Sequence, residues 1–344
     1  MKLSLLLPFT LTISSIALQA GEISLLDYNT KNPGGTLESN DFWTPSRPDG
    51  HAPIGVMADH MHDAGEIMVS FRYGFGHMTT NHLGDSEISD RRIITPKAKG
   101  GEGFTVTPTK MDMHMWMPGI MYAPTDRITL MLMAPYVYKT MDHLRRDGKT
   151  FTTESDGFGD LKFTPMVKLY DANRRAAHLG LGFSAPTGSI DEEDFVPGPG
   201  QTRLPYPMQL GSGTWDLLPS LTWLGQSDHF SWGAQANGTI RLGTNDEGYS
   251  LGDGWSGTTW GAAKVTDALS LSARATYSNW GNIDGTDRGL VIPAAAVPTA
   301  DPNLRGGERV DLSFGFNIYK QQGALEGHRL GVELGFPVYE NLDG

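Results

Sequence analysis

The sequence predicts an all-β fold, a transmembrane antiparallel β-barrel of about 12 strands. From residue 66 onward, apolar and polar residues alternate with a period of two, at which successive side chains of a strand point to opposite faces. The runs are about 10 to 13 residues long, which fits tilted membrane-spanning strands better than the strands of soluble proteins, about 5 to 6 residues long. Short turns alternate with long loops rich in Gly, Pro, Asp and Asn, as in outer-membrane barrels.

The N-terminal 50 residues precede this pattern. Lys2 is followed by an apolar run from Leu3 to Leu18 and by small residues up to Ala20, an order typical of a secretory signal peptide. We therefore predict a leader at 1–20 that is cleaved after Ala20. Residues 21–50 contain few apolar side chains, so this segment is predicted to be a tail or to lie in the lumen. The barrel is assigned to 51–344.

Eleven strands can be recognised along the barrel region. They are 66–78, 110–122, 128–139, 159–170, 178–187, 214–224, 230–243, 257–265, 268–280, 307–319 and 328–338. Closed single-chain bacterial barrels contain an even number of strands. The missing strand is predicted at Pro53 to His60, and a strand within one of the long loops is the alternative.

Composition excludes several classes of protein. The formal net charge is −12, which disfavours nucleic acid as a partner, because phosphate binding requires clustered Lys and Arg. After the leader, no run approaches the roughly 20 apolar residues of a spanning helix. Carboxylates such as Asp156 and Asp160 lie at junctions of loops and strands, where Asp commonly forms turns. No catalytic residues are predicted, and the chain is not expected to be an enzyme.

A Met/His cluster supplies the candidate metal site. Between His51 and His143 lie 12 of the 15 methionines and 7 of the 10 histidines. Thioether and imidazole groups bind soft or borderline ions, so copper is the cofactor that this composition favours. The predicted ligands are Met57, Asp59, His60, Met61 and His62. The alternative is that the methionines fill gaps in an apolar surface and the histidines lie at a solvated turn.

A methionine stripe runs along one predicted strand. Met111, Met113, Met115 and Met117 share one face, and Asp112 and His114 share the other. Because charged groups are cheapest in water, the stripe is predicted to face lipid, with a lumen-facing stripe as the alternative. The predicted lumen-lining residues of the whole barrel are Arg72, Asp112, His114, Asp160, Lys162, Lys168, Gln235, Arg241, Arg274 and Asp311.

Four phrases resemble a family of Gram-negative outer-membrane transporter proteins that is related to the MetA pathway of phenol degradation. They are HAPIGVMADHMH at 51–62, MYAPTDRITL at 121–130, GFGDLK at 157–162 and LPYPMQLGSGTWD at 204–216. The resemblance implies a barrel that binds or passes small molecules. It implies no catalytic residues.

The predicted function is that of a channel or transporter for a small solute, hydrophobic or aromatic, in the outer membrane of a Gram-negative bacterium. Its partners would be this solute, membrane lipid and lipopolysaccharide. The first alternative is a protein that binds or takes up copper or another soft metal through the Met/His cluster. A second alternative is a soluble, exported β-sandwich, since repeated amphipathic strands also fit that fold.

Overall fold

A computed structural model describes residues 43–344 of the chain and the backbone of residues 16–20. In these residues, twelve antiparallel strands form one closed sheet. We number them β1 (Ile16–Ala20), β2 (Ile67–Met78), β3 (Val106–Thr125), β4 (Ile128–Met133 and Tyr136–Arg145), β5 (Thr150–Phe158 and Leu161–Ala172), β6 (Arg175–Ala185), β7 (Trp215–Gln226), β8 (Phe230–Leu242), β9 (Gly254–Lys264), β10 (Leu269–Trp280), β11 (Gly307–Tyr319) and β12 (Arg329–Leu342). Each strand pairs with its neighbours along the chain, and β1 closes the barrel between β12 and β2.

The predicted all-β barrel is confirmed, and all eleven recognised strands are present as β2 to β12. The prediction of a strand at Pro53 to His60 is wrong, because this segment is irregular and lies inside the barrel. Within the described residues the twelfth position is held by β1. The leader predicted at 1–20 lies outside the described residues except for the backbone of 16–20, and it stays a prediction. The predicted segment 21–50 is described only from residue 43.

The connections divide the barrel into two ends. Short turns lie at one end, between β3 and β4, β5 and β6, β7 and β8, β9 and β10, and β11 and β12. The loops at 79–105, 186–214, 243–253 and 281–306 lie at the other end. Residues 140–158, which separate two of the strands recognised in the sequence, extend those strands instead of forming a loop. Tyr136–Arg145 pairs with Thr150–Phe158 around a turn at Gly148. Alternating Thr and Phe side chains at 150–153 favour this extension.

The long loops contain short elements of their own. One α-helix, Asp90–Ile94, is capped by the Ser89 side chain. Three two-stranded sheets pair Asn81–Leu83 with Ser86–Ile88, Glu193–Val196 with Gly200–Arg203, and Tyr249–Ser250 with Asp284–Gly285. The 3-10 helices are Lys97–Lys99, Tyr206–Met208, Pro298–Ala300 and Pro302–Leu304. None of the helices in the described part of the chain has the length and apolarity needed to span a membrane.

The outer face of the barrel is apolar and the inner face is polar. Exposed outer side chains include Val69, Phe71, Ile120, Leu132, Phe163, Leu181, Leu221, Ile240, Leu271, Phe314 and Leu334. Buried inner side chains include Ser70, Arg72, Thr129, Thr164, His178, Ser184, Thr222, Gln235, Ser272, Ser313 and Glu333. An apolar outer belt around a polar interior is the pattern of barrels whose outer face contacts lipid.

The outer belt gives the first testable prediction. Leu181 is 49% exposed on the outer face of β6, so Leu181→Arg would place a cation in the lipid. We expect the free energy of unfolding in bilayers to fall by about 2–4 kcal/mol. Val291→Arg, at an apolar residue of a long loop that is 67% exposed, is the control and should leave this free energy nearly unchanged. Equal effects of the two substitutions, measured by urea titration in lipid vesicles, would contradict a lipid-facing belt.

The methionine stripe faces the interior, so the prediction that it faces lipid is wrong. Met117 lies directly opposite Arg72 across the β2–β3 ladder, and Met121 lies opposite Met68. Residues directly opposite each other share a face, and Arg72 donates inward to Ile54. Consequently Asp112 and His114 lie on the outer face and do not line the lumen.

The outer position of Asp112 and His114 has a physical explanation. Lys110 forms an ion pair with Asp112, with a nitrogen-oxygen distance of 2.7 Å, and His77 contacts the same carboxylate. His114 bonds to the Tyr73 hydroxyl at 2.7 Å. An aromatic band continues around these residues and is formed by Tyr73, Phe75, His114, Trp116, Tyr136 and Tyr138. The long-loop end of the outer face therefore has the polar and aromatic composition of a membrane interface.

Candidate functional site

The interior of the barrel is occupied by residues 43–62, which we call the plug. Side chains of seven wall strands bind it, mostly through its backbone. The wall residues are Arg72 on β2, Thr129 on β4, His178 on β6, Gln226 on β7, Gln235 on β8, Ser270 on β10, and Arg329 and Glu333 on β12. Because the bonds come from all sides, the plug has a fixed position across the lumen.

The local sequence of the plug prevents it from joining the sheet. Pro53 has no N–H to donate to a strand ladder, and Ala58 has a φ of 52°, in the left-handed region that interrupts an extended chain. The backbone carbonyls therefore turn toward donors of the wall. Arg72 donates to the carbonyls of Ile54 and Val56 at 3.0 Å each.

Gly55 brings the backbone of the plug against the side chains of the wall. Its N–H donates to Glu333 Oε2 at 2.7 Å, and Glu333 Oε1 accepts from Arg274 Nε at 2.7 Å. A β-carbon at position 55 would overlap both of these side chains. Glycine is therefore required here, and the buried ion pair holds the plug by its backbone.

The plug separates two chambers. The lower chamber, at the short-turn end, has a volume of about 780 Å³ and is lined by His51, His60, Met61 and wall residues. The upper chamber, at the long-loop end, has a volume of about 640 Å³ and includes Met57. The plug therefore contributes lining residues to both chambers, His51 and His60 to the lower one and Met57 to the upper one.

The roof of the upper chamber is formed by the loop at 186–214. Lys139 donates to the carbonyls of Pro207 and Gln209, at 2.9 and 2.5 Å. Asp160 accepts bonds from Gly188 and from Ser212, the latter through both N–H and hydroxyl at 2.8 and 2.9 Å. The buried Asp160 carboxylate therefore attaches the loop to the wall, and the Ser212 hydroxyl takes part in this attachment.

Cations and methionines are cross-strand neighbours on the wall around the upper chamber. Lys139 lies opposite Met113 in the β3–β4 ladder, and Lys162 lies opposite Met133 in the β4–β5 ladder. Four cations line the chamber, Lys139, Lys162, Arg241 and Arg305, against two carboxylates, Asp160 and Asp216. Burial lowers the pKa of Arg305 to about 10, so its guanidinium is charged at neutral pH. The chamber thus offers both thioether surface and excess positive charge.

Below the upper chamber, methionines pack between plug and wall. The buried members are Met68, Met121, Met131, Met133 and Met166, and Met57, Met61 and Met117 pack against them. Met166 is completely buried. Flexible thioether side chains fill irregular space well, so the structure supports the gap-filling explanation for these methionines.

A histidine cluster lies at the lower face of the plug. His60 Nδ1 is 2.9 Å from Asp59 Oδ1, and His60 Nε2 is 3.2 Å from His62 Nε2. His62 Nδ1 is 3.2 Å from Glu66 Oε2. The His51 ring lies 3.9 Å from the His60 ring, measured between centroids. Three imidazoles and two carboxylates thus form one group beside the lower chamber.

Electrostatics within this cluster follow from its burial. Burial, together with the nearby Arg329 and His60, lowers the pKa of His51 well below its ordinary value. Burial alone would raise the pKa of Asp59, but the adjacent His60 and its hydrogen bond hold that pKa well below the usual range. At neutral pH, we therefore treat His51 as neutral and Asp59 as ionised.

Most of the predicted lumen-lining residues lie at the interior, and only Asp112 and His114 of that set lie on the outer face. The structure places Arg72, Asp160, Lys162, Lys168, Gln235, Arg241, Arg274 and Asp311 at the interior. Of the predicted metal set, Asp59, His60 and His62 come together, whereas Met57 packs with the methionines.

Sequence reasoning missed His51, Glu66, His178, Arg329 and Glu333. Arg329 and Glu333 alternate with the apolar residues of their strand, so the period of two already indicated that they point inward. His51 opens the phrase that contains the predicted ligands. No sequence signal connects His178 with the carbonyl of Ala58, which it contacts at 2.8 Å.

No protein-family model and no curated protein sequence matches this chain. Among solved structures, the chain is similar to the COG4313 outer-membrane channel from Pseudomonas putida F1, with 14% identity and a TM-score of 0.49 over 82% of this chain and 98% of that one. It is also similar to a FadL homologue of Pseudomonas aeruginosa, with 13% identity, a TM-score of 0.37 and coverage of 96% and 89%. For the Pseudomonas putida toluene transporter TodX the identity is 9%, the TM-score is 0.30 and the coverage is 98% and 91%. These solved structures thus include an outer-membrane channel and a toluene transporter.

Proposed function

We propose that this chain is an outer-membrane channel that transports a small solute with an apolar body and an anionic group. The observation that carries the proposal is the wall of the upper chamber, where Lys139 and Lys162 lie together with Met115, Met117 and Met133. An ammonium group can bind a carboxylate of the solute while adjacent thioethers contact its hydrocarbon part. The solute class is therefore a small aromatic or aliphatic carboxylate.

The outer surface and the plug support transport as the role of this chamber. The apolar belt and the aromatic band fit a barrel in contact with lipid and, at the long-loop end, lipopolysaccharide. The plug lies across the lumen between the chambers, and we propose that it moves when a solute passes. The protein is then a gated channel in the outer membrane of a Gram-negative bacterium, to which the predicted leader would export it.

Uptake into proteoliposomes tests this function. We expect saturable entry of benzoate and much slower entry of benzylammonium, because the upper chamber has more cations than carboxylates. Benzyl alcohol serves as the neutral probe of the same shape, with its rate corrected for passage through empty vesicles. Absence of any protein-dependent uptake of all three compounds would overturn the proposal, and preference for the cation would overturn the solute class.

A substitution in the chamber sharpens this test. Lys162→Met removes one charge and keeps the length of the side chain, so uptake of benzoate should fall by about tenfold, the loss of one charge-assisted bond. Lys162→Arg keeps the charge and should retain most of the uptake. If Lys162→Met transports benzoate as fast as the unmodified protein, this lysine has no part in binding the solute.

A further inference from the structure

The histidine cluster at the lower face of the plug has the arrangement of metal ligands. The Asp59 carboxylate accepts a hydrogen bond from His60 Nδ1, and the Glu66 carboxylate is within hydrogen-bond distance of His62 Nδ1. A carboxylate at Nδ1 fixes the proton on that nitrogen and leaves the lone pair of Nε2 to bind a metal. A carboxylate therefore orients each imidazole so that its Nε2 lies on the side of the ring away from that carboxylate.

The two outward nitrogens then face each other. His60 Nε2 and His62 Nε2 are 3.2 Å apart. In a tetrahedral site with Zn–N bonds of about 2.0–2.1 Å, neighbouring nitrogens are separated by about 3.3 Å. Two neutral imidazoles in this tautomer bring lone pairs together, an arrangement that a cation between them stabilises. A proton shared by the two rings is the competing explanation.

A third imidazole completes the group. The ligand atoms of His51, Asp59 and His60 all lie within 4.8 Å of one another. His51 Nδ1 is buried and has no hydrogen-bond partner among residues 43–344. A buried polar atom without a partner is energetically unfavourable, and a bound cation would supply the partner. His51, His60 and His62 all line the lower chamber, which gives an ion access to them.

We propose that His51, His60 and His62 form a binding site for one borderline divalent cation, Zn(II) or Cu(II). Asp59 and Glu66 are positioning residues that orient two of the rings. The site differs from the sequence prediction because it lacks the thioethers of Met57 and Met61, uses Asp59 to orient a ring, and includes His51. A bound ion would connect His51 with His60 and His62, and would thereby join the two ends of segment 51–62 of the plug.

Metal binding to the folded protein tests the site. The full-length exported protein, without a polyhistidine tag, is stripped with chelator in detergent and titrated with ZnCl₂ by calorimetry. We expect one ion per chain. We also expect a tetrahedral Co(II) absorption spectrum when Co(II) replaces Zn(II), because three imidazoles and one water from the lower chamber would make a four-coordinate site. His60→Ala/His62→Ala should abolish both signals, and Asp59→Asn should weaken Zn(II) binding by about 10- to 100-fold.

Two controls separate this site from other sources of binding. His229→Ala removes an exposed histidine of a short turn and should bind Zn(II) as the unmodified protein does. Met57→Leu should also bind normally, whereas a thioether site would lose affinity. Heat-modifiable migration of each variant shows that the barrel is folded. If the unmodified protein takes up no Zn(II) or Cu(II), or if His60→Ala/His62→Ala binds as tightly, a shared proton explains the geometry and the proposal is overturned.

Discussion

Oxidation of an Ile54→Cys/Gly331→Cys variant is expected to stop solute uptake, and reduction is expected to restore it. A β-carbon at Gly331 would lie 3.4 Å from the β-carbon of Ile54, close to the separation of about 3.5–4.5 Å found in disulfides. The bond would join the plug to β12 and prevent the movement that opens the lumen. The chain has no cysteine of its own, so no other disulfide can form. Benzoate uptake should fall by about tenfold or more on oxidation.

A second cysteine pair provides the matched control. Ser313→Cys/Gly335→Cys would join β11 to β12, with the added β-carbon 3.6 Å from that of Ser313, and it leaves the plug unattached. Its uptake should be the same in the oxidised and reduced forms. If the oxidised Ile54→Cys/Gly331→Cys variant transports as fast as its reduced form, the plug does not need to move and the gating proposal is wrong.

Glu333→Gln is expected to loosen the plug and to destabilise the barrel. The Glu333 side chain is 3% exposed, and its carboxylate binds both Arg274 and the backbone of Gly55. Removing one partner of a buried ion pair leaves an uncompensated charge, which typically costs about 3–5 kcal/mol. We therefore expect a lower free energy of unfolding, measured by urea titration, together with a raised basal conductance in planar bilayers.

A double variant separates the two effects. Arg274→Met/Glu333→Leu removes both charges, so most of the unfolding free energy should return. Gly55 would still lack its acceptor, and the basal conductance should stay above that of the unmodified protein. A Glu333→Gln variant with unchanged stability and no additional conductance would show that this pair does not hold the plug.

The strands could be predicted from the sequence because their pattern is local. Each wall strand carries apolar residues at every second position, as in Leu269–Trp280, and lipid on one side imposes this pattern whichever strand is adjacent. The extension of β4 and β5 beyond the predicted barrel was missed because Asp142, Arg145 and Asp147 suggested a solvated loop. Paired strands outside the membrane tolerate such charges.

The facing of the methionine stripe could not be decided from its own strand. Either face of Val106–Thr125 could point into the barrel, because one face carries methionines, which pack well in an interior, and the other carries the polar Asp112 and His114. The partner strand resolves the choice, since Arg72 opposite Met117 must reach the carbonyls of the plug. The assumption that charged groups lie in the lumen failed because polar groups are also solvated at the outer end of a strand.

By itself, the sequence determined the barrel, the positions of eleven of its strands, its two kinds of connection and the interior position of most of its charged wall residues. Only the tertiary structure decided what fills the interior. The bonds from Arg72, His178, Gln235 and Glu333 to the plug join residues more than a dozen positions apart in the chain, and they use backbone atoms that carry no sequence signature. The approach of His51 to His60 likewise depends on the turn of the plug, which the surrounding wall holds in place.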